Sequence, residues 1–373
     1  MPWISLLREH GYKVYAVSAT GAWNDQIEAG GAEFVEWKLS RSGRNPLAEF
    51  GSIIGLRSIF RKIKPDIVQN FHTKPNIYAP IAAKLAGVPL TVSTVTGLGY
   101  TFVERSGITS KLAKRLNLGM YSFANGLASE VTFQNPDDME LLRSSGSLSD
   151  SKGRLFPGGS GVDSTEYFPG TRNSEESLQL RRSLNIPEEN FVAMFVGRLQ
   201  LDKGLVEFVE AARLLKKKRD DITFVMVGAP DPGNKRSVAE STLAQWNSEG
   251  DVIFTGRRED VPRLMAISNT ITTPTFYREG LPRTLLEAAA TGLPLIGTDW
   301  PGIREAINHG INGTLIPIHD STALANAVEE FADDSEKAER YGAASLDRAN
   351  NEFDHRRVVG EYLKMYDELW NMS

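Results

Sequence analysis

Cysteine is absent from this chain, which excludes disulfides and thiolate metal centres and fits a reducing compartment such as the cytoplasm. Apolar runs are short. None approaches the ~18 residues of a membrane-spanning helix, so the chain is not expected to be an integral membrane protein. Histidine is scarce: His10, His72, His309, His319 and His355 stand singly, none with a second histidine or carboxylate at the i, i+4 spacing in the supporting context of a helix-borne metal site. Nor does Asp-x-Asp occur to bridge a metal to a nucleotide, and Pro-Asp-Asp at 136–138 reads as a helix cap. No bound catalytic metal is expected. Internal repeats and low-complexity tracts are missing as well.

What is present is a soluble globular composition, 41% hydrophobic and 24% charged over 373 residues, long enough for two core-bearing domains. The net charge of −5 does not point to nucleic acid as a partner. It is also uneven: residues 1–170 hold 18 Lys+Arg against 15 Asp+Glu, and the remainder 24 against 32. The basic excess gathers in "LRSIFRKIKP" (56–65) and "SKLAKRLNLGMYSF" (110–123). In the second, Leu112, Leu116, Met120 and Phe123 recur at helical spacing beside Lys111, Lys114 and Arg115. Two readings stand: an ordinary amphipathic helix with a solvated basic side, or a helix lying on an anionic membrane surface.

Short β-branched or apolar runs alternate with helical patterns along the chain. "KVYAVSA", "PDIVQNF", "LTVSTVTG" and "EVTFQN" are strand candidates in the first half. "FVAMFVG", "ITFVMVG", "DVIFTG", "TITTPTF" and "LPLIGTD" follow in the second. Strands separated by helices imply parallel sheets with right-handed crossovers, so each half reads as a doubly wound α/β domain. The polar stretch 168–190 is the expected linker, with domains over 1–168 and 175–355. One irregularity stands at the start. "MPWISLLREHGYKVYAVSA" opens on a helix-like segment, whereas a doubly wound domain opens on a strand. A first strand is therefore expected about 15 to 25 residues upstream of Met1.

The most informative stretch is "FYREGLPRTLLEAAATGLPLIGTD" (276–299). Pro282 and Gly292 bracket a helix over 282–291 that leaves the carboxyl end of "TITTPTF", the ligand edge of such a sheet. Gly280 and Leu281, just ahead of it, are placed to offer amides to a phosphate. Glu279 precedes the helix and Glu287 lies within it. Eight helical residues span about 12 Å, beyond the roughly 5 to 9.5 Å between paired hydrolase carboxylates. The two therefore suit opposite ends of one extended ligand, a sugar and a ribose with phosphates between. "FVGRLQLDKG" adds Arg198 and Lys203 after Gly197, in the loop leaving the first strand of the same domain, where two cations can clamp a diphosphate.

With "VMVGAP", "VIFTGRREDVPRL" and "TGLPLIGTDWPGIREAINHGINGTLIP" in the same order, these motifs resemble the retaining glycosyltransferases of family 4 across nearly the whole chain. The likeness points further to the branch of N-acetylgalactosaminyl- and galactosyltransferases that builds bacterial surface polysaccharides on lipid-linked sugars. It implies the GT-B fold, two doubly wound Rossmann-like domains facing across a cleft, with the last helix (356–373) crossing back onto the first domain. It also implies a UDP-linked sugar as substrate, no separate cofactor, and peripheral attachment to the inner face of the cytoplasmic membrane. By position, Arg198 and Lys203 resemble the diphosphate ligands, Glu279 the contact to donor-sugar hydroxyls and Glu287 that to ribose hydroxyls. Backbone at Arg257 would meet the base.

On the acceptor side the pattern departs, because many relatives place a histidine where this chain has Thr96-Gly97. "TVTGLGYTF" (94–102) still resembles the segment facing the donor. His72 and Lys74, in "QNFHTKPN", are candidates for the acceptor site, with a loop histidine satisfied by its neighbours as the alternative. The upstream segment would carry a glycine-rich loop near the donor phosphates. Transfer with retention follows, the departing diphosphate taking the acceptor's proton, with domain closure excluding water. Two other readings fit a donor site: a nucleotide-sugar epimerase, and a non-catalytic nucleotide-binding protein.

Overall fold

Glycines and capping side chains divide the apolar runs into the elements of a computed structural model, which describes all residues except 1, 22, 40–45, 100, 101, 103–107, 171, 232 and 373. The chain forms two compact units, Met1–Gly161 with His355–Ser373, and Val162–Asp354. The sequence predicts the change of unit at 168–175, and the chain makes it after Gly161.

In the first unit the order is α1 (Pro2–Glu9), β1 (Tyr15–Ser18), α2 (Asn24–Ala29), β2 (Glu33–Glu36), α3 (Pro46–Ile63) and β3 (Ile67–Phe71). There follow α4 (Thr73–Ala86), β4 (Leu90–Val95), α5 (Ile108–Leu127), β5 (Glu130–Phe133), α6 (Pro136–Ser144) and β6 (Arg154–Leu155). The strands are parallel but make two separate sheets, β1-β2 and β3-β4-β5-β6. β4, fully buried, is apolar or β-branched at every position but Ser93, as suits a strand covered on both faces. The last helix, α15 (His355–Met372), buries Val358, Val359, Tyr362 and Met365 in this unit. Tyr362 stacks on Phe156 at 4.1 Å, meets Trp3 edge-on at 4.8 Å, and shares a hydrogen bond between its hydroxyl and Thr132 Oγ1 at 3.1 Å.

The second unit runs α7 (Glu175–Ser183), β7 (Phe191–Val196), α8 (Leu205–Lys216), β8 (Ile222–Val227), α9 (Glu240–Glu249), β9 (Val252–Gly256), α10 (Val261–Ala266) and β10 (Thr270–Thr273). It continues through α11 (Arg283–Ala290), β11 (Leu295–Thr298), α12 (Ile303–Ala306), β12 (Gly313–Ile316), α13 (Ser321–Asp333) and α14 (Ser335–Arg348). One parallel sheet of six strands, β12-β11-β10-β7-β8-β9, has an apolar core on each face. The stretch 168–190, expected to be a linker, is not one. Ser174 caps α7 by accepting from Ser177 N, and the buried Arg181 donates to the carbonyls of Glu188, Asn190 and Ile267. At Ser174 and Arg181, polarity serves internal hydrogen bonds, while most of the other side chains of the stretch are exposed.

Candidate active site

The second sheet reverses its winding at β7: β8 and β9 extend one way, β10 to β12 the other. At such a switch point the loops leaving two neighbouring strands part and leave a crevice at their carboxyl ends. Those loops, after β7 and after β10, hold the two motifs read from the sequence.

After β7 the chain passes Gly197 and Arg198, makes a single 3-10 turn over Leu201–Lys203, and enters α8 through Gly204 at φ +79°. A Cβ at Gly204 would sit 2.0 Å from the carbonyl oxygen of Pro274, so only glycine lets this loop lie against the end of β10. The contact is then sewn by one carbonyl. Asp202 O accepts the N–H of Phe276 at 3.0 Å, that of Tyr277 at 3.1 Å and the Thr275 hydroxyl at 3.1 Å.

Lys203 Nζ consequently reaches Glu279 Oε1 at 2.5 Å, with the two side chains only 14% and 18% exposed. The Tyr277 ring lies 5.4 Å from Lys203 Nζ and 4.9 Å from the Arg236 guanidinium, close enough for both cations to feel its π face. Arg236 Nη1 is also 3.1 Å from Asp202 Oδ2. Burial raises the Asp202 pKa, while Arg236 and Lys203 draw it back down. Arg198 is exposed beside this group and donates to Asp231 Oδ2 at 3.3 Å, an oxygen that Gln200 Nε2 also approaches at 3.3 Å. Three cations therefore meet at one sheet edge, two of them in ion pairs with well-shielded carboxylates.

The β10–α11 loop is seated from below by a second glycine. Gly302, φ +87°, would place a Cβ 2.2 Å from Gly280 O and 2.7 Å from Glu279 O. The helix begins at Arg283 rather than at 282, because Pro282 keeps an extended ψ of 121° as the N-cap residue. Thr284 Oγ1 donates to Val196 O at 3.3 Å, tying the first turn of α11 to the end of β7, and Gly280 and Leu281 stand just ahead of that turn. Glu287 lies deeper, held by Arg283 at 3.2 Å and by the Tyr167 hydroxyl. Burial raises its pKa and the Arg283 charge opposes the rise. Arg257 is exposed at the end of β9, with β8 between it and β7.

The structure thus brings Arg198, Lys203 and Glu279 together around the switch point, with Gly280 and Leu281 beside them. Asp202, Tyr277, Asp231, Arg236 and Tyr167 were not singled out from the sequence. Asp202 and Tyr277 lay inside the quoted motifs, but the others come from loops whose only signal was polarity or a lone aromatic. His319 is a further omission: its Nδ1 is 2.7 Å from Glu207 Oε1 and its ring 4.2 Å from that of Phe276.

In the first unit, His72 follows β3 as the N-cap residue of α4, with φ 69° and ψ 162°, a backbone region that essentially glycine alone holds without strain. Its Nδ1 is 3.1 Å from the hydroxyl of Thr96, which with Gly97 follows the neighbouring strand β4. Lys74 turns instead to Glu49 on α3, Nζ to Oε1 2.8 Å, and the Tyr78 hydroxyl donates to the other Glu49 oxygen. Part of 94–102, the segment expected to face the donor, lies outside the described residues. Among the described residues, Leu112, Leu116 and Phe123 of α5 and Leu47, Phe50 and Ile54 of α3 are exposed, and α4 packs against both helices. No helix among them is long and apolar enough to cross a membrane, and no group of three or more His, Cys, Asp or Glu could hold a metal.

Comparison with known proteins accords with this geometry. Residues 176–348 match the family "Glycosyl transferases group 1", and residues 1–135 match "Glycosyl transferase 4-like". The chain is 26% identical, over 99% of its length and 94% of the relative's, to N,N'-diacetylbacillosaminyl-diphospho-undecaprenol alpha-1,3-N-acetylgalactosaminyltransferase of Campylobacter jejuni. It is 28% identical, over 77% of its length and 72% of the relative's, to UDP-Gal:alpha-D-GlcNAc-diphosphoundecaprenol alpha-1,3-galactosyltransferase of Escherichia coli. Among solved structures, Anabaena HepE in complex with UDP-glucose aligns with a TM-score of 0.81 at 21% identity, over 98% of this chain and 94% of that one. At that identity the likeness speaks for the fold, two Rossmann-like units of the GT-B class, as the sequence predicts.

Proposed function

We propose, for a chain that belongs to the group 1 glycosyl transferases with a glycosyl transferase 4-like first unit, that it moves a hexose or N-acetylhexosamine from a UDP-sugar to a lipid-diphosphate-linked sugar in surface polysaccharide synthesis. The observation that carries this reading is the Lys203–Glu279 pair, 2.5 Å apart at the switch point. A cation there meets a diphosphate, and a carboxylate beside it accepts from sugar hydroxyls. The relatives whose names specify undecaprenyl-diphosphate sugars support the acceptor class.

In this reading Arg198 and Lys203 neutralise the diphosphate as the bond to the anomeric carbon breaks, and the amides of Gly280 and Leu281 add donors at the start of α11. Glu279 orients the donor sugar, Glu287 receives the ribose hydroxyls, and backbone at Arg257 meets the base. The acceptor hydroxyl attacks the face the diphosphate leaves, passing its proton to the departing phosphate oxygen, so configuration is retained. No metal takes part. His72 with Thr96 and Gly97, and Lys74 through α4, position the acceptor. Exposed Leu112, Leu116 and Phe123, flanked by Lys111 and Arg115, lay the first unit on the anionic inner face of the cytoplasmic membrane.

The test is turnover of a panel of UDP-sugars with lipid-diphosphate-linked acceptors, with and without a metal chelator. Transfer with retained anomeric configuration, insensitive to chelation and lowered at least ~100-fold by Glu279→Ala, is the expected outcome. An epimer formed from donor alone, or UDP-sugar binding without turnover, would overturn it.

A further inference from the structure

The β10–α11 loop, which carries Glu279, is touched from a third strand as well. Past β12 the chain runs through Pro317 and Ile318 to His319, at φ 58°, before Asp320 caps α13 by accepting from Ala323 N at 2.8 Å. Glycine would hold that backbone with less strain. His319 Nδ1 donates to Glu207 Oε1 at 2.7 Å, and its ring lies 4.2 Å from that of Phe276. Glu207 is 9% exposed on the first turn of α8, and among the described residues His319 is its one hydrogen-bond partner, Oε2 being buried with none. A carboxylate so placed costs stability, since an apolar side chain would fill the same face of α8 with no polar atom to satisfy. The positive end of the α8 dipole favours an acid in this turn but does not call for an imidazole over it. Both features disfavour the folded state, and they coincide in the contact that reaches Phe276.

We propose that His319, anchored by Glu207, is a positioning residue that clamps Phe276 and so fixes the loop bearing Glu279. The loop itself shows how one ring can do this. Phe276 and Tyr277 both donate their N–H to Asp202 O, and Glu279 N donates to Tyr277 O at 3.0 Å, so the placement of these two aromatic residues sets that of the carboxylate. Tyr277 is covered by the Lys203 and Arg236 cations, whereas among the described residues the one ring contact of Phe276 is with His319. Glu207 follows Lys203 by four residues. His319 therefore joins the two loops of the switch point, its hydrogen bond on the segment that carries Lys203 and its ring on the segment that carries Glu279. A carboxylate aimed at sugar hydroxyls must be held to within about 0.5 Å by neighbours whose own rotamers are locked. That consequence for sugar transfer rests on the reading of Glu279 as the contact to the donor sugar; the clamp does not.

Four variants of the full chain separate a clamp from a merely structural contact: His319→Gly, Glu207→Leu, the two combined, and Glu207→Gln, which keeps an oxygen to accept from Nδ1. Backbone hydrogen exchange is expected to quicken at least ~10-fold at Phe276 and Tyr277 in the first three, and to stay unchanged at Met194 and Val225 in the middle of β7 and β8. Tm should fall by no more than about 3 °C, because glycine relieves the φ of 58° and leucine removes an under-bonded carboxylate. In turnover of a UDP-sugar with a lipid-diphosphate-linked acceptor, the donor KM should rise about 10-fold with kcat within about threefold of the parent, because donor binding must then order the loop. The combined variant should lose no more than either single one, since the pair acts as a unit, and Glu207→Gln should stay within about twofold of the parent. Unchanged exchange at Phe276 and Tyr277 in His319→Gly overturns the clamp. So does a fall in Tm with loop exchange and donor KM unmoved, which would make the contact a structural one. Absence of transfer by the parent would refute the substrate assignment instead, and loop exchange would still decide the role of His319.

Discussion

Replacing Lys203 by methionine separates what this residue does for the fold from what it does for the reaction. At 2.5 Å from Glu279 Oε1, its attraction is roughly 6 to 7 kcal/mol for an effective dielectric near 20, most of it cancelled by desolvating the two charges. The loss that matters is asymmetric. Lys203→Met takes the Lys203 charge away from Glu279, 18% exposed, a cost of about 2 to 3 kcal/mol, below the ~3 to 5 of a fully buried pair. At ~2 to 4 °C per kcal/mol this lowers Tm by about 4 to 12 °C. Adding Glu279→Gln removes the carboxylate charge that Lys203 had balanced, so the double variant should regain at least ~1 kcal/mol, a coupling that a double-mutant cycle by thermal denaturation reads directly. Turnover should not recover. Release of UDP in the presence of acceptor is expected to fall by ~100- to 1,000-fold in Lys203→Met and to stay down in the double variant, since the cation facing the diphosphate is gone in both. A double variant no more stable than Lys203→Met would refute the ion-pair reasoning, and turnover within threefold of the parent would refute the diphosphate role.

Gly204→Ala should cost at least ~3 kcal/mol, seen as a large fall in Tm, because a Cβ there meets Pro274 O at 2.0 Å with φ at +79°. Glu287 has a folded pKa raised by burial from the usual 4.5, so the folded state holds its proton more tightly and stability falls as pH climbs above about 4.5. Glu287→Gln should flatten that decline in denaturant titrations run across the range, and an unchanged slope would show the carboxylate to be solvated. His72→Gly should raise Tm by relieving a strained backbone worth about 1 to 3 kcal/mol while raising KM for the acceptor. A variant that gains stability with no change in acceptor KM would remove His72 from the acceptor site.

Much of this molecule was legible in local pattern. Nine strands announced themselves as apolar or β-branched runs, and β7, β8 and β11 fall where "FVAMFVG", "ITFVMVG" and "LPLIGTD" place them. Three were missed for a local reason as well: β2 is four residues flanked by glutamates, β6 is only two residues, and β12 is a four-residue run starting at a glycine. The stretch 168–190 reads as linker because its side chains are polar, and sequence polarity cannot tell a guanidinium in water from the buried Arg181, bonded to three backbone carbonyls.

The sequence alone determined which residues sit in loops after strands, since Gly, Pro and the end of each apolar run mark those turns within a few residues. It could not determine which loops meet. Lys203 and Glu279 are 76 residues apart and join only because β10 pairs with β7 rather than with β9, a choice made by the packing of whole faces. The same long-range decision brings Tyr167 to Glu287 and draws Phe276 and Tyr277 onto the carbonyl of Asp202. Local propensity fixes the pieces, but contacts between distant pieces depend on the total surface each arrangement buries, and no window along the chain contains that sum.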